Sequence, residues 1–231
     1  MSKAVVLVHG AFHGPWCWDR VTPVLDDAGV AWVAPELRGP DLHADADTVR
    51  RALDAMASDT DVVLVGHSYG GAVVTDAGDH PSVAHVVFLA ALALDAGETL
   101  TSAGGEEATA IVHESPNLGD VIVANDDATI TLPAEHVGPF LYGDCDDDTV
   151  AWAASHVRPQ PAATFGQSPR RVAWRDRPST YVVCTRDRAV HPDLQRIFAK
   201  RCGSAVEWDS AHSPFASMPR ETAELLIDVA R

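Results

Sequence analysis

Gly66-His67-Ser68-Tyr69-Gly70 sets one small hydroxyl between glycines, directly after the apolar run VVLV. With a strand before it and a helix after it, the spacing G-x-S-x-G is that of a nucleophile elbow. Such a turn holds the serine out and tolerates only tiny neighbours, a need that Gly66, Gly70 and Gly71 meet. The plainer reading is a tight strand-to-helix turn that happens to contain serine. The surrounding residues favour the nucleophile, because partners for it can be found.

A serine hydroxyl attacks poorly without a base. In elbow folds the chain order is serine, acid, histidine, which points to the C-terminal end for the base. Only His191 and His212 follow the last long apolar run. His191 precedes Pro192 at a helix start and reads as a surface or capping residue. His212, in DSAHSPF, lies between a short strand and the last helix, where a loop can swing imidazole over a sheet edge.

For the acid, Asp187 in YVVCTRDRAV lies just past an apolar strand. Its competitors are Asp193, in the first turn of a helix, and Asp209, too near His212 in sequence to reach around its ring. The plainer reading of Asp187 is a surface aspartate paired with Arg186 or Arg188. Two backbone amides complete the set as an oxyanion hole. One is Tyr69, at the helix start; the other is Ala11, in HGAFHGPW, where Gly10 lets the chain turn tightly and Phe12 hangs into the pocket.

These residues need a scaffold that brings distant loops to one edge. AVVLV at 4–8, VAWVAPEL at 30–37, DVVLVG at 61–66 and VAHVVFLAAL at 83–92 read as buried strands. Between them, 18–29 and 45–58 have helical spacing, as does the stretch after the glycines up to about Asp79. Strands apolar on both faces that alternate with helices mean a parallel α/β sheet. The rhythm breaks at Asp95 and returns with STYVVCT, a helix over PDLQRIFAKRC, a strand at AVEWD and a last helix, RETAELLIDVA. The expected organisation is a core of 1–94 and 180–231, with 95–179 as an inserted cap over the C-terminal strand edge, where open α/β sheets place ligands. Within the insertion DDDTVAWAASHV is the clearest helix. Phe140, Tyr142 and Trp152 there are candidates for the pocket wall.

The chain has 231 residues and 46% hydrophobic content, enough for one sizeable core. A formal charge of −16 repels phosphate backbones, which argues against nucleic acid. No apolar run is long enough to span a bilayer, and MSKAVVLVHG lacks the layout of a signal peptide. Four scattered cysteines without a CxxC pair read as free thiols in a reducing cytoplasm. His9 and His13 are four apart but follow a strand and lack the glutamate of HExxH, and DCDDD lacks the alternation of a calcium loop. No metal and no cofactor is expected.

VLVHGAFHGPWCW, LVGHSYGG, LYGDCDDDTVAWAASHVRPQP, YVVCTRDRAV and SAHSPFASMP together resemble the α/β-hydrolase family. Within it they look like the branch of small esterases that includes plant methylesterases and hydroxynitrile lyases. The matches span most of the chain. The resemblance implies Ser68, Asp187 and His212 as a triad, Ala11 and Tyr69 as oxyanion donors, and a homodimer among the assemblies to consider. It also implies an esterase and not a lyase. Lyases of the branch carry threonine where Gly10 stands and a lysine just after the histidine, where this chain has Ser213. The reading is a cofactor-independent serine esterase acting on a small to medium carboxylic ester. Thioester or lactone opening, or a biosynthetic tailoring step, would use the same residues. A ligand sensor that keeps the pocket without turnover is the reading from another class.

Overall fold

The computed structural model describes residues 2–56, 60–111 and 115–231. Its strands, in chain order, are β1 (Ser2–Val8), β2 (Ala31–Val33), β3 (Thr60–His67), β4 (Val83–Leu89), β5 (Val123–Ala124), β6 (Thr129–Thr131), β7 (Gln160–Pro161), β8 (Ser179–Cys184) and β9 (Ser204–Trp208). The longer helices are α1 (Thr22–Asp27), α2 (Leu42–Asp54), α3 (Tyr69–Ala77), α4 (Ala134–Leu141), α5 (Asp147–His156), α6 (Pro192–Ala199) and α7 (Pro219–Val229). Six strands form one sheet in the order β2-β1-β3-β4-β8-β9, every neighbouring pair parallel.

The central strands are buried along their apolar runs: Val5 to Val8, Val62 to Val65, Val86 to Leu89 and Tyr181 to Cys184. Such strands cannot alternate polar and apolar residues, because helices cover both faces. α3 is buried at all nine positions, as its nearly all-apolar sequence requires. Its Asp76 is the exception in chemistry. There Arg170 supplies a backbone N–H at 2.7 Å and guanidinium contacts, one at 2.8 Å. That ion pair, buried on its Asp76 side, ties residue 170 to the core.

Two strands are shorter than expected. The run 30–37 forms only β2, because Pro35 has no N–H to continue a ladder. Leu37 instead donates its N–H to His9 Nε2 at 3.1 Å, drawing the chain toward the strand ends. The run 83–92 stops at Leu89; Ala90 adopts φ 48° and the Leu92 N–H turns to the Ser68 carbonyl at 3.1 Å. In the expected helix 45–58, α2 begins three residues early, with the Asp41 carboxylate accepting the Ala44 N–H at 2.9 Å; Ala57 and Ser58 lie outside the described residues.

Residues 95–179 hold α4, α5 and a small antiparallel sheet, β5-β6-β7, that no periodicity announces. Asp146 caps α5 through the Thr149 N–H at 2.8 Å. The segment reaches the strand ends directly. The Arg158 N–H donates to the Phe12 carbonyl at 2.9 Å, and the Tyr142 hydroxyl to His13 Nε2 at 3.0 Å. Among the described residues no helix is long and apolar enough to cross a membrane.

Candidate active site

Ser68 stands where β3 ends and α3 begins, at φ 52° and ψ −123°, a conformation that costs a non-glycine residue energy. The surroundings enforce it. The Ser68 N–H bonds the Leu89 carbonyl at 3.3 Å, and the Ser68 carbonyl accepts from Gly71 at 2.9 Å and Leu92 at 3.1 Å. The turn also demands close backbone approach. A Cβ on Gly70 would stand 2.6 Å from the Val8 carbonyl oxygen, so β1 and α3 touch here. Gly70→Ala should therefore destabilise the fold by about 1–3 kcal/mol. An unchanged urea midpoint would contradict this reading of the contact.

His212 follows β9 and is 1% exposed. Its Nδ1 donates to Asp187 Oδ2 at 2.7 Å, across 25 residues of sequence. Asp187 is buried, and four donors surround its carboxylate. The Ala189 and Val190 N–H groups reach Oδ1 at 2.7 and 3.0 Å; Gln195 Nε2 and His212 Nδ1 reach Oδ2, each at 2.7 Å. The competing acids are engaged elsewhere. Asp193 pairs with Arg196 at 2.8 Å, and Asp209 with Arg186 at 2.8 Å. His191 caps α6, accepting the Asp193 N–H at 3.1 Å.

Ser68 and His212 meet through His67. His67 Nε2 donates to the His212 carbonyl at 2.9 Å, and the two imidazoles lie 4.6 Å apart. Asp144 holds the same loop from the other side, accepting the Ala211 N–H at 2.9 Å. Ser68 itself is partly exposed, and its hydroxyl makes no hydrogen bond to His212 among the described residues.

The loop after β1 is pinned carbonyl by carbonyl. His9 Nδ1 donates to the Gly10 carbonyl at 2.9 Å, and His13 Nδ1 to the Ala11 carbonyl at 2.8 Å. Gly10 has no positive φ, so the tight turn is not its reason. A Cβ there would lie 2.9 Å from Ser68 Cβ and from His67 Nδ1. The residue in the left-handed region is Phe12, at φ 65°. The Ala11 and Tyr69 N–H groups donate to no protein acceptor among the described residues, which leaves both for a ligand oxygen. Asp45, buried on α2, fixes Tyr69 from behind: it accepts the Tyr69 hydroxyl at 2.7 Å and the Gly39 N–H at 2.7 Å.

Desolvation by burial lowers the pKa of His9 to about 3 and of His13 to about 4, and holds His67 well below the usual range. All three stay neutral above pH 5, and their partners fix the tautomers of His9 and His13. A pH profile of kcat/KM taken above pH 5 should therefore carry no step from any of the three; a step removed by substituting His9, His13 or His67 would contradict this.

The residues expected at the pocket wall are placed differently from one another. Tyr142 is fully buried and bonded to His13. Phe140 is buried beneath the Arg188 guanidinium, 5.2 Å from its ring centroid. Trp152 packs edge-on against Trp16 at 5.0 Å, and Phe12 is buried. None of the four lines a cavity of about 1130 Å³ found among the described residues. That cavity opens between residues 100–111 and 116–119 on one side and the loop of Asp187 on the other, with Ala103, Leu118, Arg188 and Leu194 in its wall. Ser68 and His212 do not line it, so side-chain geometry and not cavity size defines the site. Gln195, Asp144 and Asp45 escaped the reading of motifs. Gln195 had a signal: a polar residue on the buried face of α6, three positions from buried Phe198.

Residues 5–225 match the sequence model of the alpha/beta hydrolase family. The chain is 28% identical to alpha/beta hydrolase nvfD of Aspergillus novofumigatus, covering all of this chain and 97% of that protein. It is 26% identical to the pFDCC methylesterase MES16 of Arabidopsis thaliana, over 93% of this chain and 89% of the other. Among solved structures, polyneuridine aldehyde esterase superposes with a TM-score of 0.85 at 20% identity, each chain covered completely.

Proposed function

The chain belongs to the alpha/beta hydrolase family, and from that premise we propose that it is a serine carboxylesterase acting on a small to medium carboxylic ester. The observation that carries the proposal is the buried His212–Asp187 pair at 2.7 Å, set beside a serine held in a strained turn. Relatives named as methylesterases and a pyrethroid hydrolase support the ester as substrate class.

In the proposed cycle His212 Nε2 takes the Ser68 proton as Oγ attacks the ester carbonyl. The Ala11 and Tyr69 amides hold the developing oxyanion, a preorganised contribution of several kcal/mol in such sites. The imidazolium then protonates the departing alcohol oxygen, leaving an acyl-serine. A water deprotonated by His212 attacks that ester, and collapse returns the proton to Ser68 and releases the acid. Asp187 stays ionised throughout and keeps Nδ1–H in place. Residues 95–179 serve as the cap that selects what enters. The cycle draws on these groups alone, with no metal, cofactor, nucleic acid or membrane. Four free cysteines support a cytoplasmic setting, and a homodimer is compatible with the scheme.

The test is hydrolysis of p-nitrophenyl esters from acetate to octanoate, with a fluorophosphonate probe mapped by peptide mass. Turnover with the probe on Ser68 is the expected result. No turnover of any ester, with Ser68 unlabelled, would sink the proposal.

A further inference from the structure

We propose that Gln195 is a positioning residue for this reaction: its side-chain amide locks the Asp187 carboxylate that orients His212. The inference rests on the esterase reading above. Gln195 is fully buried on α6, and each of its polar atoms has a fixed partner. Oε1 accepts the Cys184 N–H at 2.8 Å, at the last residue of β8. Nε2 donates to Asp187 Oδ2 at 2.7 Å and to the Val190 carbonyl at 2.8 Å. Because a backbone N–H can only donate, Oε1 must face Cys184, and the amide cannot flip. The NH₂ group is therefore always turned to the acid.

Two consequences follow. A carboxylate offers about four lone-pair sites, and here four donors meet it: two amides on Oδ1, and Gln195 with His212 on Oδ2. It has no second rotamer with equal bonding, so the imidazole that it holds is fixed in plane. Gln195 also shares the charge on the very oxygen that faces His212, which makes that oxygen a weaker proton acceptor. The acid then stays a carboxylate when His212 becomes imidazolium. Position alone would be served by the loop amides; only Gln195 adds a donor to the same oxygen.

The groups facing the pair are few. His67 and His13 approach from the elbow and the loop after β1, and burial keeps both neutral. Tyr181 and Cys184 lie near Asp187, and burial pushes both groups upward, so neither ionises at neutral pH. Asp144 lies behind Ala211, with Arg186 3.7 Å away.

Gln195→Met keeps the side-chain length and removes the donor and acceptor. It should lower kcat about 10- to 100-fold, with KM within about two-fold, since outer partners of catalytic groups carry effects of that size. The acid limb of kcat/KM should move up by about one pH unit, because an Oδ2 without its second donor holds the imidazolium more strongly. A wild-type measurement covers the case of a misfolded variant. In ¹H–¹⁵N spectra the Gln195 side-chain amide should shift with the midpoint of the acid limb. An amide that ignores that midpoint, or a folded Gln195→Met with kcat and midpoint unchanged, would overturn the inference. Ser68→Ala and His212→Ala run alongside. If they too keep activity, the esterase reading itself fails; if they lose it, the fault lies with Gln195 alone.

Discussion

Ser68→Ala is expected to lower kcat for ester hydrolysis by about 10⁶-fold, the scale seen when a triad nucleophile is removed. Folding should be nearly untouched. Ser68 is partly exposed and its hydroxyl makes no hydrogen bond among the described residues, whereas the bonds that enforce its backbone use its N–H and carbonyl, which alanine keeps. Alanine inherits the φ of 52° with a Cβ of the same kind, so the strain is unchanged. What disappears is the hydroxyl proposed to attack the ester carbonyl. A residual rate above solvent is still expected, because the oxyanion donors and binding remain. Steady-state kinetics and a thermal melt read both halves. A variant that retains more than about 1% of kcat would need a different nucleophile, since triad loss is far larger.

Asp187→Asn should cost about 10⁴-fold in kcat, through the tautomer and not through the fold. The Ala189 and Val190 N–H groups both need an acceptor at Oδ1, so the asparagine oxygen will stay there. Its NH₂ group is then turned to His212 and to the Gln195 amide, which is itself a donor. His212 can make its bond only by presenting a bare Nδ1, which moves the proton to Nε2. In that form it cannot accept from Ser68. The facing donors should also destabilise the protein, by about 1–3 kcal/mol for an unmet buried group. The measurements are kcat across pH and the downfield proton resonance of the His–Asp bond, which should vanish. If Asp187→Asn kept more than a tenth of the rate while Asp193→Asn or Asp209→Asn lost it, the acid would be elsewhere.

The parts legible in the sequence share a physical property: each rests on local order along the chain. Apolar runs located β1, β3, β4 and β8 because a strand covered on both faces must be apolar throughout. Glycines at 66, 70 and 71 marked the elbow because close backbone approach excludes a Cβ, as at Gly70, where one would stand 2.6 Å from the Val8 carbonyl oxygen. Asp187 stood out because residues just past a parallel strand reach the ligand edge. Where a residue acted against the pattern, the boundaries moved: Pro35 cut β2 short, and the turn of Ala90 toward Ser68 ended β4.

By itself, then, the sequence determined the α/β order, the elbow serine and the short roster of acids and bases that could serve it. Only the tertiary structure decided among them and supplied their supports. His212 was paired with Asp187, while Asp193 and Asp209 were assigned to arginines. Gln195, Asp144 and Asp45 were recruited from α6, the turn between α4 and α5, and α2 to hold the acid, the histidine loop and Tyr69. Phe140 and Tyr142 were buried and Trp152 was packed against Trp16, none of them lining the cavity beside Asp187. The physical reason is range. Backbone periodicity and turn sterics are set by neighbours a few residues away, and are written in the chain. A hydrogen bond across 25 or 67 residues depends on which side chains a finished sheet brings within 3 Å, and no spacing records it.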